Sequence, residues 1–281
     1  MLSAVYGIST AICWGIGDFI GGSQSRRAGA YGMTFGTIGC GLLLLLVVAV
    51  FFGGDSLSLS GWLLCIMAGV FDAAGILLLY LSMSMGRLSL AAPVSALSAT
   101  ALPVLYGILT LGMPKLVIIV GLLLALVAIW MVSQAETAEQ GERIRVAELK
   151  LPLLSGVCLG AFLILMHSGS EHALLWPMVA VRTGGVAVLL LVRLMPLNAW
   201  IRSTVPLPWP IIAMNALLDV GGNGCFILAG QTGRIDVAAV LSSLYPGATV
   251  FMAWLLLKET ISRLQLAGIV TALGAIALLV A

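Results

Sequence analysis

The chain has 281 residues, of which 61% are hydrophobic and only 9% charged, with a formal net charge of +2. A soluble domain carries about 25% charged residues and at most about half apolar ones, so this composition excludes a soluble enzyme or binding domain and points to a lipid bilayer as the solvent. It also offers no basic face for nucleic acid.

Ten apolar segments are predicted in chain order, at 3–22, 31–52, 61–84, 88–110, 115–133, 151–169, 176–195, 209–231, 236–257 and 263–281. Each suits a membrane span of about 20 residues, and together they consume nearly the whole chain. The first begins at about Leu2 with no basic n-region and no A-x-A site, so it reads as a retained transmembrane helix and not as a cleaved signal peptide. It carries Trp14 and Asp18, which share one helix face. Trp14 could stack on a solute ring. Asp18 is a candidate substrate-binding or coupling residue, although it lies towards the cytoplasmic end of its segment, where a snorkelled, interfacial carboxylate is the simpler expectation.

The third segment opens on Trp62 and holds Asp72. Gly86-Arg87 alone joins it to the fourth, which contains Ala92-Pro93-Val94-Ser95. The one linker-like stretch, 134–150, contains Glu136, Glu139, Glu142, Arg143, Arg145, Glu148 and Lys150. Beyond it, His167 ends the sixth segment and His172 follows; lone histidines of this kind are expected to be structural or solvated more often than proton relays. Arg182 lies about a third of the way into the seventh segment. The eighth opens on Trp209 and holds Asp219 and Asn223 on one face, with Gly221, Gly222 and Gly224 between and beside them, where thin backbone could widen a cavity. The ninth contains Ser242-Ser243-Leu244-Tyr245-Pro246, where proline frees backbone carbonyls and kinks the helix, and hydroxyls can bond a solute. The five cysteines are scattered singly, so they read as small packing residues with no metal site.

A single offset of 147 residues relates the two halves. It places Trp62 on Trp209, Met67 on Met214, Asp72 on Asp219, Gly75 on Gly222, Gly86-Arg87 on Gly233-Arg234, and Ser95 on Ser242. About a quarter of positions 60–133 match in that register. The predicted organisation is a five-helix repeat over 1–133, a polar loop over 134–150, and a second five-helix repeat over 151–281. An odd number of spans per repeat makes the second enter the membrane from the opposite side, so the repeats are inverted. Each aspartate follows its tryptophan by ten residues, or ~15 Å of helix, half of a ~30 Å hydrocarbon core. Both carboxylates therefore fall near the midplane.

Basic residues set the orientation. Arg26, Arg27, Arg87, Arg143, Arg145, Lys150, Arg193, Arg202, Lys258 and Arg263 fall on one side, and Lys115 and Arg234 on the other. This puts both termini outside.

An ionised carboxylate at the bilayer centre is expensive unless paired or hydrated. Asp72 and Asp219 thus read either as a proton-coupling or cation-binding pair in a central cavity, or as structural links to Arg182 or Asn215. Arg182 either binds an anionic group of a solute through its planar fork or neutralises an aspartate. Asn223, one turn beyond Asp219, is a candidate cavity amide, and Ser242 and Tyr245 are further candidate contacts. With no G-x-x-x-x-G-K-[ST] there is no nucleotide site, and no cofactor is expected.

Across its whole length the chain resembles EamA-type members of the drug/metabolite transporter superfamily. The residues that carry the likeness are Trp14-Gly15, Gly86-Arg87-Leu88-Ser89-Leu90-Ala91-Ala92-Pro93, Arg182, Gly233-Arg234 through Ser242-Ser243-Leu244-Tyr245-Pro246, Leu257-Lys258-Glu259 and Leu266-Ala267-Gly268. The resemblance implies a ten-helix secondary transporter with a cavity bounded by the first, third, fourth, sixth, eighth and ninth segments. It would export a small metabolite or drug-like solute across the plasma membrane by alternating access, with protons as a candidate coupling ion. Two departures stand out. Leu111-Gly112-Met113-Pro114-Lys115 lacks the acid that Glu259 supplies in the second half, and the basic residues oppose the cytoplasmic N-terminus of many members. The rival readings are import of a sugar or similar nutrient, a membrane subunit without transport of its own, and an intramembrane aspartyl protease. In that last case Asp219 would follow Leu217-Leu218, where such proteases have Gly-x-Gly. Two complete halves suffice for a monomer; the sequence sets no oligomeric state.

Overall fold

A computed structural model describes residues 2–54, 56–85, 88–138, 146–170, 173–194, 206–257 and 263–280. Gly86-Arg87, His172, Arg202, Lys258, Glu259 and the middle of the polar stretch, 139–145, lie outside the described residues. The described residues form eleven helices and no strand. They are α1 (Leu2–Ala28), α2 (Ala30–Phe52), α3 (Leu59–Met85), α4 (Leu88–Leu111), α5 (Leu116–Ala138), α6 (Val146–Ser170), α7 (Leu175–Leu194), α8 (Trp209–Thr232), α9 (Ile235–Ser242), α10 (Tyr245–Leu257) and α11 (Arg263–Val280). Among the described residues seven helices are long and apolar enough to cross a membrane: α1, α2, α7, α8 and most of α3, α4 and α6. Helices suit this solvent because all their backbone hydrogen bonds close within the segment. Exposed Leu43, Val47 and Val50 on α2, and Leu105 and Leu109 on α4, form helical rows that water would disfavour and lipid accepts.

Several boundaries differ from the sequence expectation: α5 runs on to Ala138 and α6 starts at Val146, so helix takes up both ends of the expected polar loop 134–150. Helix α1 runs on to Ala28, a full turn and more beyond position 22, so Asp18 sits well inside a helix and not near its end. The ninth segment is not one helix: α9 stops at Ser242 and α10 starts at Tyr245. Pro246 has no N–H to offer the Ser242 carbonyl, which ends the regular ladder. The hydroxyls of Ser242 and Ser243 donate to the carbonyls of Ala238 and Ala239, both at 2.7 Å. The chain then passes through a short turn, with Leu244 N–H bonding Leu241 O at 3.2 Å and Gly247 N–H bonding Leu244 O at 2.9 Å. By contrast α4 stays a single helix through Pro93.

The helices pack in a regular scheme: α3 lies along α6 and α7, α1 along α8, α4 along α6, and α5 along α11. Small residues make these approaches possible. The tightest is α3 on α7. A Cβ on Gly69 would overlap the Val181 carbonyl, one on Gly184 the Ile66 carbonyl, and one on Gly185 would lie 3.3 Å from Gly69 O. The two backbones touch there with no side chain between. The α4–α6 contact is similar, with Gly156 against Ser95 and Ser98, and the hydroxyls of Ser95 and Ser155 3.1 Å apart.

At the opposite end of α9, Asp236 is fully buried and accepts from Arg234 Nε at 3.1 Å and Nη2 at 2.8 Å, while the same Nη2 donates to Gly112 O at 3.0 Å. This clasp ties the start of α9 to the end of α4.

The α3–α7 contact yields a prediction. Gly184→Val forces a branched side chain into the Ile66 backbone, which cannot yield as a flexible side chain would. It should destabilise the protein by at least the ~1–3 kcal/mol typical of overpacking, read as a lower midpoint in detergent thermal unfolding. Gly54→Ala, at a position with open space around it, should leave the midpoint unchanged.

Candidate functional site

A cavity of about 60 Å³ lies inside the bundle. Its walls come from α1 (Trp14, Asp18), α3 (Asp72, Ile76, Leu79), α4 (Ala99), α6 (Leu159, Phe162, Leu163), α8 (Asp219, Asn223) and the α9–α10 turn (Ser243, Tyr245). That volume is far below the ~300–1,000 Å³ of sites that hold small organic ligands. The structure is narrow at this site, which remains partly open.

Behind the acids stands Arg182, only 1% exposed. Its Nη1 donates to Asp72 Oδ2 at 3.0 Å, and its Nη2 lies 2.8 Å from Asp219 Oδ2. The second contact is an ion pair off the hydrogen-bond direction: neither Nη2 nor that oxygen completes a hydrogen bond, and Nε has none either. The close α3–α7 crossing explains the placement. Gly69 is one turn before Asp72 and Gly185 one turn after Arg182, so the contact that removes side chains brings the carboxylate and guanidinium together. Of the two partners the sequence left open for the aspartates, Arg182 holds both. Asn215 instead donates to Thr37 Oγ1 at 3.1 Å and Tyr80 Oη at 3.2 Å.

Asp18, which the sequence left between an interfacial role and a site role, lines the cavity, within electrostatic reach of Asp219 and Asp72. Its neighbour Trp14 stacks on Phe226, with ring centroids 5.9 Å apart, and its Nε1 donates to Asn223 Oδ1 at 3.0 Å. A Cβ on Gly222 would strike the indole at 2.5 Å. The glycine beside Asp219 therefore seats a tryptophan, where the sequence suggested a wider cavity. Indole N–H only donates, so it fixes the Asn223 oxygen towards Trp14 and leaves the amide nitrogen for the cavity.

Tyr245 also reaches the cavity and hydrogen-bonds to Ser95. Ser242 does not: it is fully buried, its hydroxyl is spent on Ala238, and its neighbour Ser243 takes the place in the wall. His167 packs against Gly230 of α8, away from the cavity. Phe162, Leu163 and Ser243 are wall residues that sequence reasoning missed. Apolar residues in an apolar segment carry no signal, and Ser243 differs from Ser242 only in the direction that the helix break gives it.

The EamA-like transporter family matches residues 1–134 and again 148–281. No curated protein matches the chain. One solved structure, titled only as the crystal structure of a protein, superposes with a TM-score of 0.77 at 14% identity, over 98% of this chain and 95% of that one. At that identity it shows a shared fold alone. The family match covers nearly the whole chain, so the protein belongs to the EamA-like transporter family. It is a multi-pass membrane protein that moves a small solute.

Removing one partner of a buried charge pair leaves the others uncompensated. Arg182→Met should therefore cost about 3–5 kcal/mol, read as a large fall in folded yield and in the detergent unfolding midpoint. Adding Asp72→Asn and Asp219→Asn to the same chain should recover most of that loss. A single Arg182→Met as stable as the parent would show that the guanidinium does not balance these acids.

Proposed function

We propose that the chain is a secondary transporter of the plasma membrane that exports a small metabolite or drug-like solute by alternating access. The observation that carries this is the small, partly open cavity at the meeting of α1, α3, α6 and α8, holding carboxylates that a merely structural core would omit. Asp72, Asp219 and Asp18 recognise or exchange cations there, Arg182 sets their spacing, and Trp14, Asn223 and Tyr245 contact the solute. Ser242 contributes by shaping the helix break.

In this reading the chain spans the membrane ten times, as inverted repeats over 1–133 and 151–281 joined by the polar loop 134–150. The α9–α10 pair is a broken ninth span, and both termini lie outside. The packing supports an inverted repeat. Gly75 of α3 seats Leu159 of α6, and its counterpart Gly222 of α8, 147 residues later, seats Trp14 of α1. Each first helix of a repeat thus lies in the same way on the third helix of the other. Rocking of one repeat against the other would open the cavity alternately to either side.

The protease reading loses support from the guanidinium. An aspartyl dyad works because two carboxylates share one proton, whereas here Arg182 contacts both Asp72 and Asp219. Import of a sugar is not favoured by a site with three carboxylates.

Counterflow in proteoliposomes loaded with amino acids, amines, sugars and nucleotide precursors, with and without an imposed pH gradient, tests the proposal. One solute class should accumulate, and the gradient should drive it. Asp72→Asn and Asp219→Asn each lower the negative charge that draws protons in. Both should abolish gradient-driven uptake while solute exchange partly survives. Wild-type driven transport in both variants would overturn coupling at this cluster.

A further inference from the structure

The cavity and its backing hold three carboxylates, Asp18, Asp72 and Asp219, against one guanidinium, and no other basic residue lines it. Arg182 stands behind Asp72 and Asp219, is 1% exposed and is not part of the cavity wall. It contacts both of those acids, and among the described residues no second cation lines the cavity to receive a carboxylate or phosphate from a solute. An anion entering this site would meet an excess of negative charge at short range in a medium that screens it weakly.

Polar groups, meanwhile, are left open towards the cavity. Asp18 has neither a hydrogen bond nor an ion pair among the described residues. Asp72 is only 3% exposed, and Arg182 occupies one of its oxygens; no hydrogen bond reaches the other. Asn223 is 2% exposed, with its oxygen bound to Trp14 and its amide nitrogen unpartnered. Buried polar groups are normally satisfied by protein or by water, so these cavity-facing groups are available to a solute that displaces water.

Comparing the two halves shows which of these groups the shared scaffold does not require. Asp72 and Asp219 correspond, and Arg182 serves both. Trp14 and Leu159 hold equivalent seats on Gly222 and Gly75. One helical turn on, Asp18 corresponds to Leu163, and on the other helix pair Asn223 corresponds to Ile76; all four line the cavity. The α1–α8 wall therefore carries a carboxylate, an indole and an amide where the α3–α6 wall carries leucines and isoleucine. The site has a charged end and an apolar end. Trp14 and Tyr245 beside Asp18 add aromatic faces, which attract cations.

Resting on the transporter reading above, we propose that the solute is an organic cation, a primary amine with an apolar or aromatic body, whose ammonium group pairs with Asp18 in exchange for a proton. The amine's body lies against Phe162, Leu159 and Leu163. The exchange balances in one step: protonated Asp18 meets the alkylammonium ion, its proton leaves to water, and the carboxylate–ammonium pair remains. On the far side a proton returns to Asp18 and releases the ammonium ion. The ionisable groups acting on Asp18 are Asp72 and Tyr80 from α3, Asp219 from α8 and Tyr245 from α10. Helix α2 has no charged residue, and Asp236 of α9 is bound to Arg234.

Three near-isosteric probes test this with purified full-length protein in nanodiscs: 2-phenylethylamine, 3-phenylpropanol and 3-phenylpropionate. Binding is read by calorimetry, and proton release by a pH indicator in weakly buffered solution. The amine should bind at least tenfold more tightly than the alcohol or the acid, and should release protons on binding. Asp18→Asn should lose at least tenfold in amine affinity and all of the proton release. Asp18→Glu should keep both, and equal unfolding midpoints would show that the variants fold. Tighter binding of the acid or the alcohol, no binding of the amine, or full amine affinity with proton release in Asp18→Asn would each overturn the proposal. These readouts need no transport. Amine binding without counterflow would therefore sink the transporter reading alone, and counterflow of a neutral or anionic solute would sink the amine alone.

Discussion

Everything in the centre of this protein depends on one guanidinium held between two carboxylates inside a membrane bundle. Asp72 comes from the first half of the chain, and Arg182 and Asp219 from the second, so the contact joins the halves. No single ion in that set could sit there alone, because taking a charge out of water is costly unless another charge and hydrogen bonds meet it. The tertiary structure meets the requirement with glycine. Where α3 crosses α7, Gly69, Gly184 and Gly185 strip away side chains, and the helices close until Arg182 can reach Asp72. The arrangement is still incomplete: Nε and Nη2 of Arg182 and one oxygen of Asp219 lack aligned hydrogen bonds. A network held partly by charge and only partly by directional bonds is poised to rearrange, which suits helices that must shift against one another.

The break between α9 and α10 is the second constraint, and it follows from backbone accounting. Pro246 withdraws one N–H, and Ser242 and Ser243 spend their hydroxyls on carbonyls of the preceding turn. The residues after the break turn far enough for Ser243 and Tyr245 to face the cavity. Irregular backbone at membrane depth is tolerated where protein buries it or where it lines a cavity, and this turn does both.

Fold and function separate cleanly in the site. The frame is shared with a family of transporters, and a solved structure at 14% identity shows that such frames outlast their sequences. What distinguishes the two walls is the set of cavity residues that differ between the halves: Asp18 against Leu163, Asn223 against Ile76, Trp14 against Leu159. A duplicated unit supplies equal walls, and specificity for an asymmetric solute comes from departures in one of them.

Much of this was legible in the sequence. Hydropathy over windows of about 20 residues located the apolar helices but not all their ends, nor the break in the ninth segment, because in lipid a helix is the only way for a single segment to satisfy its backbone. The 147-residue offset paired Asp72 with Asp219, since equal depth in matching helices survives as equal spacing. Trp14, Asn223 and Tyr245 were likewise found as site candidates. The sequence alone could not decide which partner held the aspartates, for Arg182 is more than a hundred residues from Asp72 and their meeting depends on a helix crossing. It left Asp18 between an interface and the site, because the polar end of α1 looks like an interface until the helix is seen to continue past it. It chose Ser242 over Ser243, because one residue of helix break turns the chain by a hundred degrees or so. The sequence determined a duplicated helical membrane protein with acids at depth, since solvent and spacing act along the chain. Only the tertiary structure decided which acids are neutralised and which stay open to a solute, since that depends on which surfaces the glycines allow to touch.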